Sequence, residues 1–407
     1  MKLKLIGTFT LLSYVNQLGN VLINFLFIGM LTPLMLGDIA LAKIWMRSVD
    51  YGHLGLRHSI DRYTPIWDIH SNSTLLFLTL LITSISFIII SICALLFLDD
   101  MHLVFSFLLW GYALSVATVL KNFNRALSQD KEMMIVYTFC PVILTISQAL
   151  VLFLFGFDSF LSFTIVISLV SVFYLINRNR FDMKYSMKSS LLILSKVKSS
   201  SFLLLVNSII LFFGFAVDRI FLASFSDKTV LGLYSIALFA FSLMQIVPTT
   251  VSQFFFPDVT KKTVRTNKIF YPREFTVIAI PTITTLILVY CIIPFGLEFI
   301  NKEYLVLVEP TRMVTFAVLP YVFIPIFIQV FNALDKRKEL ILVSLLSIVI
   351  YTFLLFITQY YVSDFLGAFI MLKIFYSYFL CFLYLVFLIY INRTGIKVFY
   401  KCGEETH

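Results

Sequence analysis

The chain has 407 residues, 60% hydrophobic and only 13% charged, with a net charge of +9. Soluble domains carry roughly a quarter charged residues and about half apolar ones. So large an apolar surplus leaves too little polar surface for a water-soluble fold, and an integral membrane protein remains. No polar stretch within these residues, the longest being about Asn177 to Ser201, is long enough for a soluble enzyme, receptor or nucleotide-binding domain.

Lys2, Lys4 and the apolar run after them imitate a signal peptide. Asn16, Gln17, Asn20 and Asn24 interrupt that run and no A-x-A-like site follows, so an uncleaved first span is expected. Apolar runs between breakers then predict twelve helices, at 8–31, 34–51, 74–98, 103–120, 133–155, 159–176, 201–225, 229–255, 275–297, 305–332, 340–361 and 365–391. Twelve spans of about 20 residues use roughly 240 and leave only loops. The runs are continuous rather than alternating, which excludes a membrane β-barrel. An all-α integral membrane protein is expected, since each span must pair its own backbone groups.

Twenty-five of the 31 Lys and Arg fall at the N-terminus, in every second loop and at the C-terminus, and two, Lys228 and Lys302, fall in the opposite loops. This alternation places both termini in the cytoplasm by the positive-inside rule. It also accounts for the positive charge, so nucleic acid is not a partner, and anionic membrane lipids are the expected partner of the basic loops.

Leu36-Gly37 after span one and Leu231-Gly232 after span seven are each followed by Ala five residues beyond the Gly, at an offset of 195. Phe123-Asn124-Arg125-Ala126-Leu127 after span four is echoed by Phe331-Asn332-Ala333-Leu334 after span ten. Two six-helix bundles are therefore expected, 1–176 and 201–407, as parallel repeats with a cavity between them. Residues 177–200 form a basic cytoplasmic linker, either a helix lying on the membrane surface or a plain solvated segment.

Four cations fall inside spans: Lys43, Arg219, Arg312 and Lys373. Each costs roughly 2.5–3.5 kcal/mol near the bilayer centre and so faces protein or a water-filled cavity. Only Asp218 stands out as an intramembrane acid, and the surplus of positive charge asks for an anionic substrate. Snorkelling to the headgroups competes with this account, more strongly for Arg219 and Arg312 than for Lys43 and Lys373. Asn16, Asn20 and Asn24 share one face of span one and suit hydroxyl-rich groups such as sugars. Lys43, Arg47 and Asp50 form another polar stripe. The span-eight stripe of Ser242, Gln245, Thr249 and Ser252 reads as interhelical hydrogen bonding.

No catalytic residue and no metal site is expected. The five histidines are scattered without metal spacing, the five cysteines give no disulfide or thiolate site, and there is no P-loop. Asp99-Asp100 reads as a solvated turn. No cofactor is expected.

Two segments resemble the polysaccharide-transporter branch of the multidrug/oligosaccharidyl-lipid/polysaccharide (MOP) exporters, and within it the Wzx-type O-antigen flippases. One runs from Asp50-Tyr51-Gly52-His53-Leu54-Gly55-Leu56-Arg57 to Arg62-Tyr63-Thr64-Pro65. The other runs from Asp218-Arg219-Ile220-Phe221-Leu222 through Gly232-Leu233-Tyr234-Ser235 to Phe256-Pro257, and Leu366-Gly367-Ala368 is a weaker third. The resemblance implies a non-enzymatic flippase in the bacterial inner membrane. It implies a MATE-like pair of six-helix bundles that moves undecaprenyl-diphosphate-linked oligosaccharide to the periplasmic leaflet by alternating access. A polysaccharide polymerase and a chain-length regulator are then expected partners. On that reading Lys43, Arg219, Arg312 and Lys373 attract the diphosphate, and Asn16, Asn20 and Asn24 meet sugar. Asp218, Asp50, Arg57 and Arg62 serve coupling or gating, Asp218 by modulating Arg219 or carrying a proton. The alternatives are a cation-coupled multidrug exporter of the MATE branch, which would want more cavity acids, and an O-antigen polymerase, which would want a long external loop.

Overall fold

The computed structural model describes residues 2–64, 67–97, 100–127, 138–178, 187–266, 269–300, 302–334, 336–362 and 364–393. All regular structure among them is helical: α1 (Lys2–Met30), α2 (Pro33–Ser48), α3 (Leu56–Tyr63), α4 (Ile69–Phe97), α5 (Met101–Ala126), α6 (Leu144–Phe155), α7 (Phe157–Arg178), α8 (Met187–Phe225), α9 (Lys228–Thr266), α10 (Pro272–Ile300), α11 (Val308–Thr315), α12 (Ile324–Ala333), α13 (Arg337–Tyr361) and α14 (Phe365–Arg393). Short 3₁₀ or π turns extend several of them. At a few helix starts a side chain takes up an unpaired amide. The Asp100 carboxylate accepts the Leu103 N–H at 3.0 Å and Asp364 that of Gly367 at 3.1 Å.

Among the described residues, nine helical stretches are long and apolar enough to cross a membrane, with Val15–Met30 and Pro141–Phe155 as shorter apolar helices. The protein is a multi-pass membrane protein. Its lipid-facing sides are legible in exposure: Ile85, Ile88, Ile89, Ile92 and Leu96 form one exposed stripe on α4, and Phe295 and Phe299 stand out from α10. In water such faces would have to be covered; in lipid they need no cover, and association rests on packing and hydrogen bonds instead.

The helices depart from the expected spans in three places. Residues 187–200, expected to be part of a linker, are continuous with span seven in the 39-residue α8, about 58 Å long at 1.5 Å per residue. Helix α9 likewise runs on to Thr266, carrying Lys261, Lys262 and Arg265 beyond the apolar stretch. Span ten is not one helix. Its α-helical hydrogen bonding lapses into a 3₁₀ segment at Phe316–Val322, which contains Pro320. A proline lacks the N–H that an α-helix needs there.

The chain divides into two compact units, Met1–Phe212 with Leu222–Gly232, and Phe213–Phe221 with Leu233–His407. In the first, α5 is largely buried. Phe107 and Trp110 on α5 pack with Phe27 on α1 and Phe160 on α7, with ring centroids 5.3 to 6.4 Å apart. The second unit has an aromatic core too, in which Phe241 meets Tyr321 and Phe331 meets Tyr384.

The two Leu-Gly pairs lie in the opening turns of helices α2 and α9 rather than in connecting loops, and they meet one another in the first unit. A Cβ on Gly37 would collide with the Lys228 carbonyl oxygen, and one on Gly232 with that of Pro33. Each glycine is thus where the other turn's backbone passes, and only the absence of a side chain permits the approach. Lys228 Nζ also pairs with Asp38 at 2.9 Å across this junction.

Candidate functional site

The second unit holds a buried charge pair. Lys373 on α14 and Asp218 on α8 are 2% and 0% exposed, and Lys373 Nζ lies 2.8 Å from Asp218 Oδ2. That oxygen also accepts the hydroxyls of Tyr234 at 2.7 Å and Tyr351 at 3.2 Å, and Oδ1 accepts the Arg219 backbone N–H at 2.8 Å. Lys373 donates further to the Gly214 carbonyl at 3.0 Å and stands 5.6 to 5.7 Å from the rings of Phe215, Tyr351 and Tyr376. Four donors on one carboxylate are the arrangement that makes a buried ion tolerable.

The expected partnership of Asp218 with Arg219 is therefore not the one its side chain makes. The carboxylate partners Lys373, two tyrosines and the backbone, and Lys373 faces protein rather than a cavity in this conformation. Arg219 is half-buried, and its Nε is buried without a hydrogen-bond acceptor among the described residues.

Arg312 on α11 is also half-buried. Its Nε donates to the Tyr290 carbonyl at 3.3 Å, its guanidinium lies 4.7 Å from the centre of the Tyr290 ring, and Nη1 is 3.4 Å from the exposed Glu309.

In the first unit, the amide face of α1 is partly spent on the protein itself. Asn20 and Asn24 donate to the carbonyls one turn earlier, at 3.0 and 2.7 Å. Asn16 Oδ1 accepts from Thr145 at 3.1 Å, and Asn24 Oδ1 accepts from Lys43, whose ammonium also lies 5.0 Å from the Phe27 ring centre. Asn24 and Lys43 are thus brought together.

Asp50 does not continue the α2 stripe but pairs with Arg57 at 2.6 Å. The segment between them explains the motif's glycines. After a 3₁₀ turn at Val49–His53, Leu54 and Gly55 both take positive φ, and a Cβ on Gly55 would collide with the Ser201 carbonyl. His53 Nδ1 accepts the Gly55 N–H at 2.9 Å. The break turns the chain into α3, which Ser59 fixes to Ser201 by a hydroxyl pair. The Arg62 side chain and Asp99 lie outside the described residues.

Over 93% of this chain and 96% of the other, the structure is similar to the inward-facing conformation of a multidrug resistance MATE family transporter of the MOP superfamily, with a TM-score of 0.62 and 14% identity. The fold is that of the MATE transporters. The MATE multidrug transporter DinF-BH matches at a TM-score of 0.59 and 14% identity, over 98% of this chain and 96% of its own. MATE in the straight conformation matches at 0.52 and 12%, over 96% of each chain. No protein-family model and no curated protein matches the sequence.

Within the MATE fold, sequence reasoning missed Tyr234, Tyr351 and Tyr290. Tyr234 lies inside the G-x-Y-S segment, which was a signal of place without a role. Tyr351 and Tyr290 are single aromatics in aromatic-rich spans, with no local mark of what they bind.

Outside the spans, Lys262 on the α9 extension pairs with Glu274 at 2.8 Å. The hydrogen bond and charge of Glu274 hold the ammonium above its ordinary pKa of 10.5.

Proposed function

We propose that this protein flips an undecaprenyl-diphosphate-linked oligosaccharide from the cytoplasmic to the periplasmic leaflet of a bacterial inner membrane, for O-antigen or capsular polysaccharide. The carrying observation is the balance of charge inside the spans. Asp218, the acid buried mid-span, is committed to Lys373. Among the described residues the acid paired with Arg312 is the exposed Glu309, and the buried Nε of Arg219 meets no acceptor. Ions within a membrane protein are costly and mark substrate or ion pathways, and a net cationic interior suits a diphosphate better than a cationic drug. The MATE fold supports a transporter working by alternating access, with one six-helix bundle in each half of the chain.

Deletion of the gene in its host tests this, with lipid-linked oligosaccharide and surface polysaccharide assayed together. Loss of surface polysaccharide with lipid-linked units trapped in the cytoplasmic leaflet, restored by complementation, is the expected result. Single units still reaching the surface without long chains would point to a polymerase. A well-expressed Lys43→Ala variant with normal export would sink the assignment of that cation to the diphosphate.

A second reading, export of organic cations, is favoured by one observation: two of the similar structures are multidrug transporters. Unchanged polysaccharide with raised sensitivity to cationic dyes in the deletion strain would establish it instead.

A further inference from the structure

Helix α10 carries Pro294 in its interior. Proline has no N–H, so it cannot give the carbonyl four residues earlier its helical hydrogen bond. That carbonyl belongs to Tyr290, and Arg312 Nε donates to it at 3.3 Å. The same residue's ring lies under the guanidinium at 4.7 Å. Residue 290 therefore fixes Arg312 twice, once through backbone and once through side chain. The second contact is the cation–π interaction that a planar guanidinium makes best.

Holding Nε and one face still leaves the outer edge of the fork. Nη1 is 3.4 Å from Glu309, a carboxylate 75% exposed, and an exposed pair of this kind holds weakly. Among the described residues Nη2 has no hydrogen-bond partner. A guanidinium held through Nε and one face, with one terminal nitrogen weakly paired and the other without a partner among the described residues, can still offer the bidentate fork that suits a phosphate oxygen pair.

We propose that Pro294 and Tyr290 are positioning residues, which hold Arg312 as a preformed fork for the diphosphate of the lipid-linked substrate. The inference rests on the flippase reading and deepens it. Pro294 does so by a defect: the helix gives up one of its own bonds so that an arginine can be oriented by the carbonyl left over.

The test is titration of the purified protein in phosphatidylcholine nanodiscs with inorganic pyrophosphate, read by thermal shift. Wild type should bind saturably. Arg312→Ala should lose the response, and Arg312→Lys, which keeps the charge but not the fork, should weaken it about tenfold. Pro294→Ala is decisive because its two effects have opposite signs. It returns an N–H to Tyr290, so the melting temperature without anion should hold or rise, while pyrophosphate affinity falls about tenfold.

Wild-type affinity in Pro294→Ala, or in Arg312→Ala, would overturn the inference and leave the flippase reading standing. No pyrophosphate response in the wild type would overturn both. Repeating the titration with phosphatidylglycerol in the nanodisc separates the two sources of phosphate. Binding that survives supports a substrate diphosphate, and binding abolished by the anionic lipid overturns that source and assigns the fork to headgroups.

Discussion

Replacing Lys373 by Met should destabilise the second unit far more than replacing both members of its pair. The single change removes the 2.8 Å bridge to a carboxylate that is 0% exposed and the bond to the Gly214 carbonyl. It leaves Asp218 with Tyr234, Tyr351 and one backbone amide as donors. Breaking a buried pair costs about 3–5 kcal/mol, because the remaining ion has lost its counter-charge, whereas replacing both partners is often neutral. At about 2.1 cal/mol/K of unfolding entropy per residue, a chain of this length loses about 1 °C per kcal/mol. The single variant should then melt about 4–6 °C lower, and Asp218→Asn with Lys373→Met within about 2 °C of wild type. Thermal unfolding in detergent, followed by far-UV circular dichroism because all three tryptophans lie in the first unit, reads all four corners of the cycle. If the double variant lost as much as the two single variants added together, the pair would not be coupled, and the assignment of Asp218 to Lys373 would fall.

Three further outcomes follow from other parts of the molecule. Gly37→Ala and Gly232→Ala should each cost about 1–3 kcal/mol of overpacking, visible as lower yield and melting temperature, while Gly296→Ala, whose Cβ would meet nothing within 4 Å, should be silent; equal effects at all three would remove the steric argument. Glu274→Gln should speed acylation of Lys262 at pH 9–10. The raised ammonium pKa keeps that amine protonated as pH climbs through 10.5, and losing Glu274 lowers it; peptide mapping after brief acetylation would show an unchanged rate if the pair does not form in solution. Asn24→Leu should leave the α1 backbone intact but remove the acceptor from Lys43, and lower export several-fold if Lys43 must be held in one place; export at the wild-type level would show that the ammonium works without that amide.

The helical class and nine of the twelve expected spans, among the described residues, were legible because lipid demands continuous apolar runs. What local pattern could not show was where helices continue past the lipid. Residues 187–200 are polar enough to read as linker, yet they extend α8, since the Met, Leu and Lys among them have ample helix propensity once a helix is nucleated. The break in span ten was marked by Pro320 but looked minor beside so much Leu, Val and Phe. The intramembrane charges were legible as a set and not as pairs: Asp218 and Arg219 are neighbours in sequence, whereas the ammonium that pairs with the Asp218 carboxylate belongs to Lys373, 155 residues away. Helical spacing found the amide face of α1, and only packing could reveal that Thr145 and Lys43 already use part of it.

The reciprocal seat of Gly37 and Gly232 has a consequence for assembly. Each turn supplies the surface on which the other closes, and the leucines before the glycines, Leu36 and Leu231, are buried there. During synthesis the first turn is therefore left as an unfilled notch until some two hundred residues later its counterpart emerges. An intermediate that has inserted only the earlier helices cannot finish that corner, so a chain halted midway should present it to the cell's quality-control proteases.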